Sequence, residues 1–181
     1  SPSCCSPQSP WRCGRMNIGG PTMRQDSDYE TDFYEWTQTQ AAKLREVGSR
    51  RYNEDVDWEN VAEEIESLGR GDFRGLKSHV SRIIEHLLKL EFSRAADPRR
   101  AWTASVDAHR RDAEDIMRDS PSLRARLGTA LDECYAEARK WTAKGFRNEG
   151  EDSSVLPEQM PYRPAEILDE DWYPKNRHGL E

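Results

Sequence analysis

Long apolar runs are missing from this chain. No segment approaches the roughly 18 consecutive apolar residues that a helix needs to cross a bilayer, and the first residues lack the apolar stretch of a secretory signal. A cytoplasmic protein with no membrane partner is the expectation. An excess of positive charge is missing as well. The 27 Lys and Arg are outnumbered by 34 Asp and Glu, and the net charge of -7 works against attraction to phosphate backbones, so nucleic acid is disfavoured as a partner. Cysteine is scarce outside the first residues: Cys4, Cys5 and Cys13 crowd together there and Cys134 stands alone, which is no disulfide framework. There is no glycine-rich phosphate loop, nucleophile elbow or paired CxxC, and no segment alternates with the period of a strand.

What is present is helical patterning. Apolar residues make up 35% of the chain and charged residues 34%, with a mean hydropathy of -1.00. That supply forms a core only if the apolar residues gather on the inward faces of amphipathic helices. Residues 1–23 are rich in Ser, Pro and Gly, hold no acid and show no periodicity, so they are expected to be a disordered or non-native leader. Met16 and Met23 are alternative starts, and a cysteine-based metal-binding tail is the sharper reading of the same leader. Residues 24–175 are expected to be a single helical domain. Residues 176–181 are read as a tail whose final Leu180 and Glu181 resemble the start of a cloning tag.

Five main helices are expected. The first runs from about Thr31 to Val47, with Phe33, Trp36, Gln40, Ala41, Leu44 and Val47 at three-to-four spacing. Asp57 caps the second, Val56 staples onto Val61, and Trp58, Ala62, Ile65 and Leu68 complete its stripe before a stop at Gly69. A third, central helix from about Asp72 to Phe92 carries Phe73, Leu76, Val80, Ile83, Leu87 and Leu90. Asp97-Pro98 opens a fourth, which places Trp102, Val106, His109, Ala113 and Ile116 inward. Ser120-Pro121 opens a fifth with Leu123, Leu127, Leu131, Cys134, Ala138 and Trp141, ending near Gly145. Beyond it Phe146, Tyr162, Ile167, Trp172 and Tyr173 anchor a proline-rich tail across the bundle, with one short helix at Pro164 to Leu168. The fold class is therefore all-α, an antiparallel five-helix bundle with a C-terminal tail packed across it.

Several stretches carry a family resemblance. These are DFYEW (Asp32 to Trp36), WENVAEEIESLGR (Trp58 to Arg70), HLLKL (His86 to Leu90), SPSL (Ser120 to Leu123) and ILDEDWYP (Ile167 to Pro174). Over roughly residues 28 to 174, and in this order, they resemble the bacterial domain-of-unknown-function family twenty-nine. The resemblance implies an all-helical bacterial protein and carries no catalytic residues with it.

Two sets of residues are candidates for function. His79 and His86 lie seven apart on one helix face and His109 sits on the next helix, so a transition-metal site between helices, with Glu64 as fourth ligand, is geometrically open. The residues three before these histidines are Leu76, Ile83 and Val106, which excludes the Glu-x-x-His pattern of di-iron bundles. Glu64 flanks the apolar stripe and is expected to be buried against Arg82 or Arg110. The second set is the acidic face of the second helix. Seven acids and no base occur between Glu54 and Glu66, and Glu59, Glu63 and Glu66 are the candidate interaction surface. The favoured role is a non-enzymatic interaction or regulatory protein that binds a protein partner or a second copy of itself and needs no cofactor. The alternative is a metal-assisted or small-ligand enzyme.

Overall fold

The computed structural model describes residues 29–50 and 55–180. The leader, with Cys4, Cys5, Cys13, Met16 and Met23, lies outside the described residues. Four long helices follow one another: α1 (Phe33–Arg50), α2 (Trp58–Phe92), α3 (Arg99–Asp119) and α4 (Ser122–Asn148). A 3₁₀ turn at Ser153–Val155 and a short α5 (Pro164–Leu168) complete the fold, and no strand occurs among the described residues. No described helix is long and apolar enough to cross a membrane.

The expected stop at Gly69 is absent. The second and third expected helices are one helix, α2, which runs unbroken for 35 residues, or about 52 Å at 1.5 Å per residue. Gly69 is buried within it because α1 crosses there: a Cβ at this position would overlap Thr37 Oγ1 and come within 3.3 Å of Gln38 Nε2 and Tyr34 Cδ2. The glycine serves close helix approach and not termination. The N-terminus of α2 is as expected, with Asp57 Oδ1 accepting from the Asn60 backbone N–H at 3.2 Å.

α2 occupies the middle. Leu76, Val80, Ile83, Ile84, Leu87 and Leu88 have no exposed surface, and they point to more than one side, which requires cover from several helices. α1 runs against α2, since Tyr34 meets Phe73 while Gly48 meets Trp58. α3 also runs against it, from the His79–His109 contact to Gly75 beside Ile116. α4 runs with it, pairing Lys77 with Glu133 and Thr142 Oγ1 with the Glu85 carbonyl. Trp102, Val106 and Met117 of α3 and Leu123, Leu127, Leu131 and Cys134 of α4 close the core.

Polar side chains tie the ends together. Asp32 accepts from the Glu35 N–H of α1 and, with both oxygens, from the N–H and hydroxyl of Ser122 at the start of α4. One carboxylate therefore caps two helices, and this accounts for the acid that opens DFYEW. The tail folds back as expected, burying Leu156, Tyr162 and Ile167. Arg110, expected as a partner for Glu64, clamps this tail instead: its guanidinium donates to the carbonyls of Ile167, Glu166 and Trp172 at 2.9, 3.1 and 2.9 Å. The chain continues in bonding contact past residue 175, where Asn176 Nδ2 donates to the Leu90 and Ser93 carbonyls at the end of α2.

Four apolar residues placed inward by periodicity are exposed, Val47 of α1 among them. Val56 is exposed as well, and Val61 and Leu68 are 41% and 56% exposed. They lie on the α2 face that α3 covers further along, and α3 ends beside Gly75 before reaching them. Trp141 is also exposed, with the ammonium groups of Lys140 and Lys144 over its ring.

Candidate functional site

α1 and the N-terminal half of α2 form a helical hairpin that extends beyond the part of α2 covered by α3, and its two faces differ in chemistry. On one face Arg45 of α1 reaches the acids of α2. Its Nε donates to Glu59 Oε1 at 3.0 Å, and its Nη2 lies 3.3 Å from Glu63 Oε2 and 2.7 Å from Glu66 Oε2. Arg70 closes the network from the other end, bonding Glu63 and Glu66. The Arg45 guanidinium holds the Glu66 carboxyl below the usual carboxylate range. The candidate interaction residues Glu59, Glu63 and Glu66 thus sit together on the surface with two arginines of their own chain among them.

The opposite face is apolar. On α1, Leu44 and Val47 fall on the flank away from Arg45, and on α2, Val61, Ile65 and Leu68 fall on the flank away from Glu59 and Glu63. Val47 is 37% exposed, and Leu44 and Ile65 are half-buried. At the base of the hairpin Tyr29, Phe33 and Trp36 form an aromatic cluster with centroid separations of 4.9 to 6.0 Å, Tyr29 being exposed.

The histidine candidates separate into a pair and a lone residue. His79 Nδ1 and His109 Nδ1 are 3.0 Å apart across the α2–α3 interface. Asp112, one turn beyond His109, brings its Oδ2 to 3.5 Å from His79 Nδ1 and 4.0 Å from His109 Nδ1. Burial and the adjacent His79 push the His109 imidazole below its ordinary value. His86 stands two turns further along α2 toward the core. Its Nδ1 is buried without a hydrogen-bond partner, and burial lowers its pKa to about 4. Glu64 does not join the histidines: it is exposed and lies roughly 22 Å of helix rise before His79. Arg82, its other expected partner, bonds the buried Glu85 at 2.8 Å. The carboxylate near the histidines is Asp112, which follows His109 by three residues and so lies outside the Glu-x-x-His pattern. The signal is His109-x-x-Asp112, a spacing that puts both side chains on one helix face. A separate apolar hollow of about 410 Å³ between α4 and α5, lined by Val80, Leu127, Leu131 and Ile167, holds none of these residues.

The hairpin, the capped junction at Asp32 and Ser122, and the tail anchored at Trp172 all fall within a single match to a family model described as a domain of unknown function, DUF29, over residues 29–173. The chain belongs to the DUF29 family. A solved structure supports the same fold: a crystal structure of an α-helical protein of unknown function from Rhodospirillum rubrum is 26% identical, with a TM-score of 0.69, covering 80% of this chain and 91% of that one. No curated protein matches this chain. The comparisons establish an all-helical DUF29 protein and assign it no biochemical role.

Proposed function

We propose that this DUF29 protein is a cytoplasmic helical interaction module that associates with a second copy of itself through the apolar face of the α1/α2 hairpin. The observation that carries the reading is the exposure of Val61 and Leu68 on a helix face that α3 covers elsewhere. The acidic residues Glu59, Glu63 and Glu66 act here as the solvated back of the hairpin, where arginines of the same chain already offset their charge. Charge on the back and apolar surface on the front suit a four-helix arrangement built from two hairpins.

The size is consistent with that use. Eighteen residues of α1 give a face about 27 Å long, and two helices about 9 Å apart make it roughly 18 Å wide. Two such faces bury on the order of 1,000 Å² together, which is the lower bound for a specific interface. The aromatic cluster at the base adds residue types that concentrate binding energy.

Light scattering after size exclusion tests this directly. The expected mass is twice the 20.9 kDa of one chain, and Leu68→Glu, which replaces an exposed side chain, is expected to give a monomer with unchanged helical content. A wild-type protein that stays monomeric at concentrations of tens of micromolar refutes self-association, and a dimer that survives Leu68→Glu refutes the assigned face.

A further inference from the structure

We propose that His79, His109 and Asp112 form a binding site for a divalent transition-metal ion of the zinc, cobalt or nickel class. Their facing atoms make a triangle with sides of 3.0, 3.5 and 4.0 Å. A point equidistant from its three corners lies about 2.1 Å from each, which is the bond length of such ions to imidazole nitrogen and carboxylate oxygen. The three separations need not change for an ion to sit at that point.

The fold holds this geometry in place. His79 comes from α2 and the other two residues come from one turn of α3, so the site bridges two helices whose packing is set by the fully buried Val80, Ile83, Val106 and Ala113. Without an ion, the two Nδ1 atoms meet as donor and acceptor of a single proton. A cation replaces that proton with a bond to each nitrogen.

The donor set selects the class. Two imidazoles and one carboxylate suit borderline ions, whereas calcium and magnesium favour sites made of oxygen alone and cuprous ion favours sulfur. Three protein ligands leave further coordination positions. Asp112 is 54% exposed and the histidine side chains 27% and 29%, so water reaches those positions. His86, about 10 Å further along α2, is too distant to ligate the same ion. The metal site and the hairpin face use different residues, so either can fail while the other stands.

The test uses the full chain and compares wild type, His79→Ala/His109→Ala and Asp112→Asn by isothermal titration with zinc chloride and by cobalt(II) absorption. The cysteines supply an internal contrast, because thiolate ligation of cobalt gives intense charge-transfer bands that a nitrogen and oxygen set lacks. The double variant is expected to lose one equivalent of zinc together with the thiolate-free cobalt bands. Asp112→Asn changes an exposed side chain, so it leaves folding intact, and it is expected to weaken that equivalent at least about tenfold. Equal stoichiometry and affinity in all three proteins overturn the proposal, as does a wild-type cobalt spectrum of thiolate character alone.

Discussion

Two glycines two residues apart on α2, and so on opposite sides of the helix, offer a sharp test of the α1–α2 packing. Both lie inside a continuous helix, so replacing either with Ala raises intrinsic helix propensity by about 0.8 to 1.0 kcal/mol. At Gly71 no other atom lies within 4 Å of the added methyl, and Gly71→Ala is expected to stabilise the protein by about that amount. At Gly69 the methyl overlaps Thr37 Oγ1, an atom of a fully buried side chain hydrogen-bonded to the Tyr34 carbonyl at 2.7 Å. Overpacking of this kind costs about 1 to 3 kcal/mol. Gly69→Ala is therefore expected to destabilise by up to about 2 kcal/mol, and the difference between the variants, in which propensity cancels, isolates the clash at about 1 to 3 kcal/mol. Urea denaturation followed by circular dichroism resolves this, and melting temperatures should separate by several degrees. Adding Thr37→Ala removes the colliding oxygen, so the double-mutant cycle should show favourable coupling between positions 37 and 69. If Gly69→Ala stabilises the protein as much as Gly71→Ala does, the close approach of α1 at this point is wrong.

Two further expectations concern buried polar groups. Arg110→Met keeps the length of the side chain and removes every donor to the Glu166, Ile167 and Trp172 carbonyls. It should cost about 3 kcal/mol and make limited proteolysis cut first beyond α4; an equally protected tail would show that Arg110 is no clamp. His86 binds its proton near pH 4 in the folded protein, against an ordinary value of 6.5. The unfolded chain therefore takes up that proton first as pH falls, and stability present above pH 6.5 is lost progressively toward pH 4. His86→Leu should flatten the dependence of melting temperature on pH across that window, and an unchanged slope would mean that another group is responsible.

The helical stripes of α3 and α4 are legible because each buries one face against α2, and a repeat of three and four residues records that directly. The continuity of α2 through Gly69 is harder to read, because glycine usually marks a helix end and helix-interior glycine is unfavourable by itself. The correcting signal was nevertheless present. Ala62, Gly69, Leu76, Ile83 and Leu90 are all buried and follow one another at intervals of seven, so the core-facing register continues across the glycine, whereas a true break would have shifted its phase. Val61 and Leu68 show the converse limit. Their spacing states that they share a face, but what covers that face depends on where α3 ends, which is a property of another segment.

The candidate site divides along the same line. His109 and Asp112 are neighbours on one helix turn, so their pairing is local information, and the register of α3 against α2 adds His79. Arg45 and Arg110 carry no comparable mark, because a long guanidinium side chain reaches across elements and Arg110 finds backbone carbonyls, which every residue possesses. Periodicity therefore predicts which faces are buried, while the partners of long polar side chains follow only from the assembled packing. The metal proposal draws on both sources: a local i, i+3 pair on α3 and one histidine whose position is set by the antiparallel register of two helices. That is why His79 and His109 of the expected residues come together, while His86 and Glu64 stand apart from them and Asp112 takes the place beside the pair.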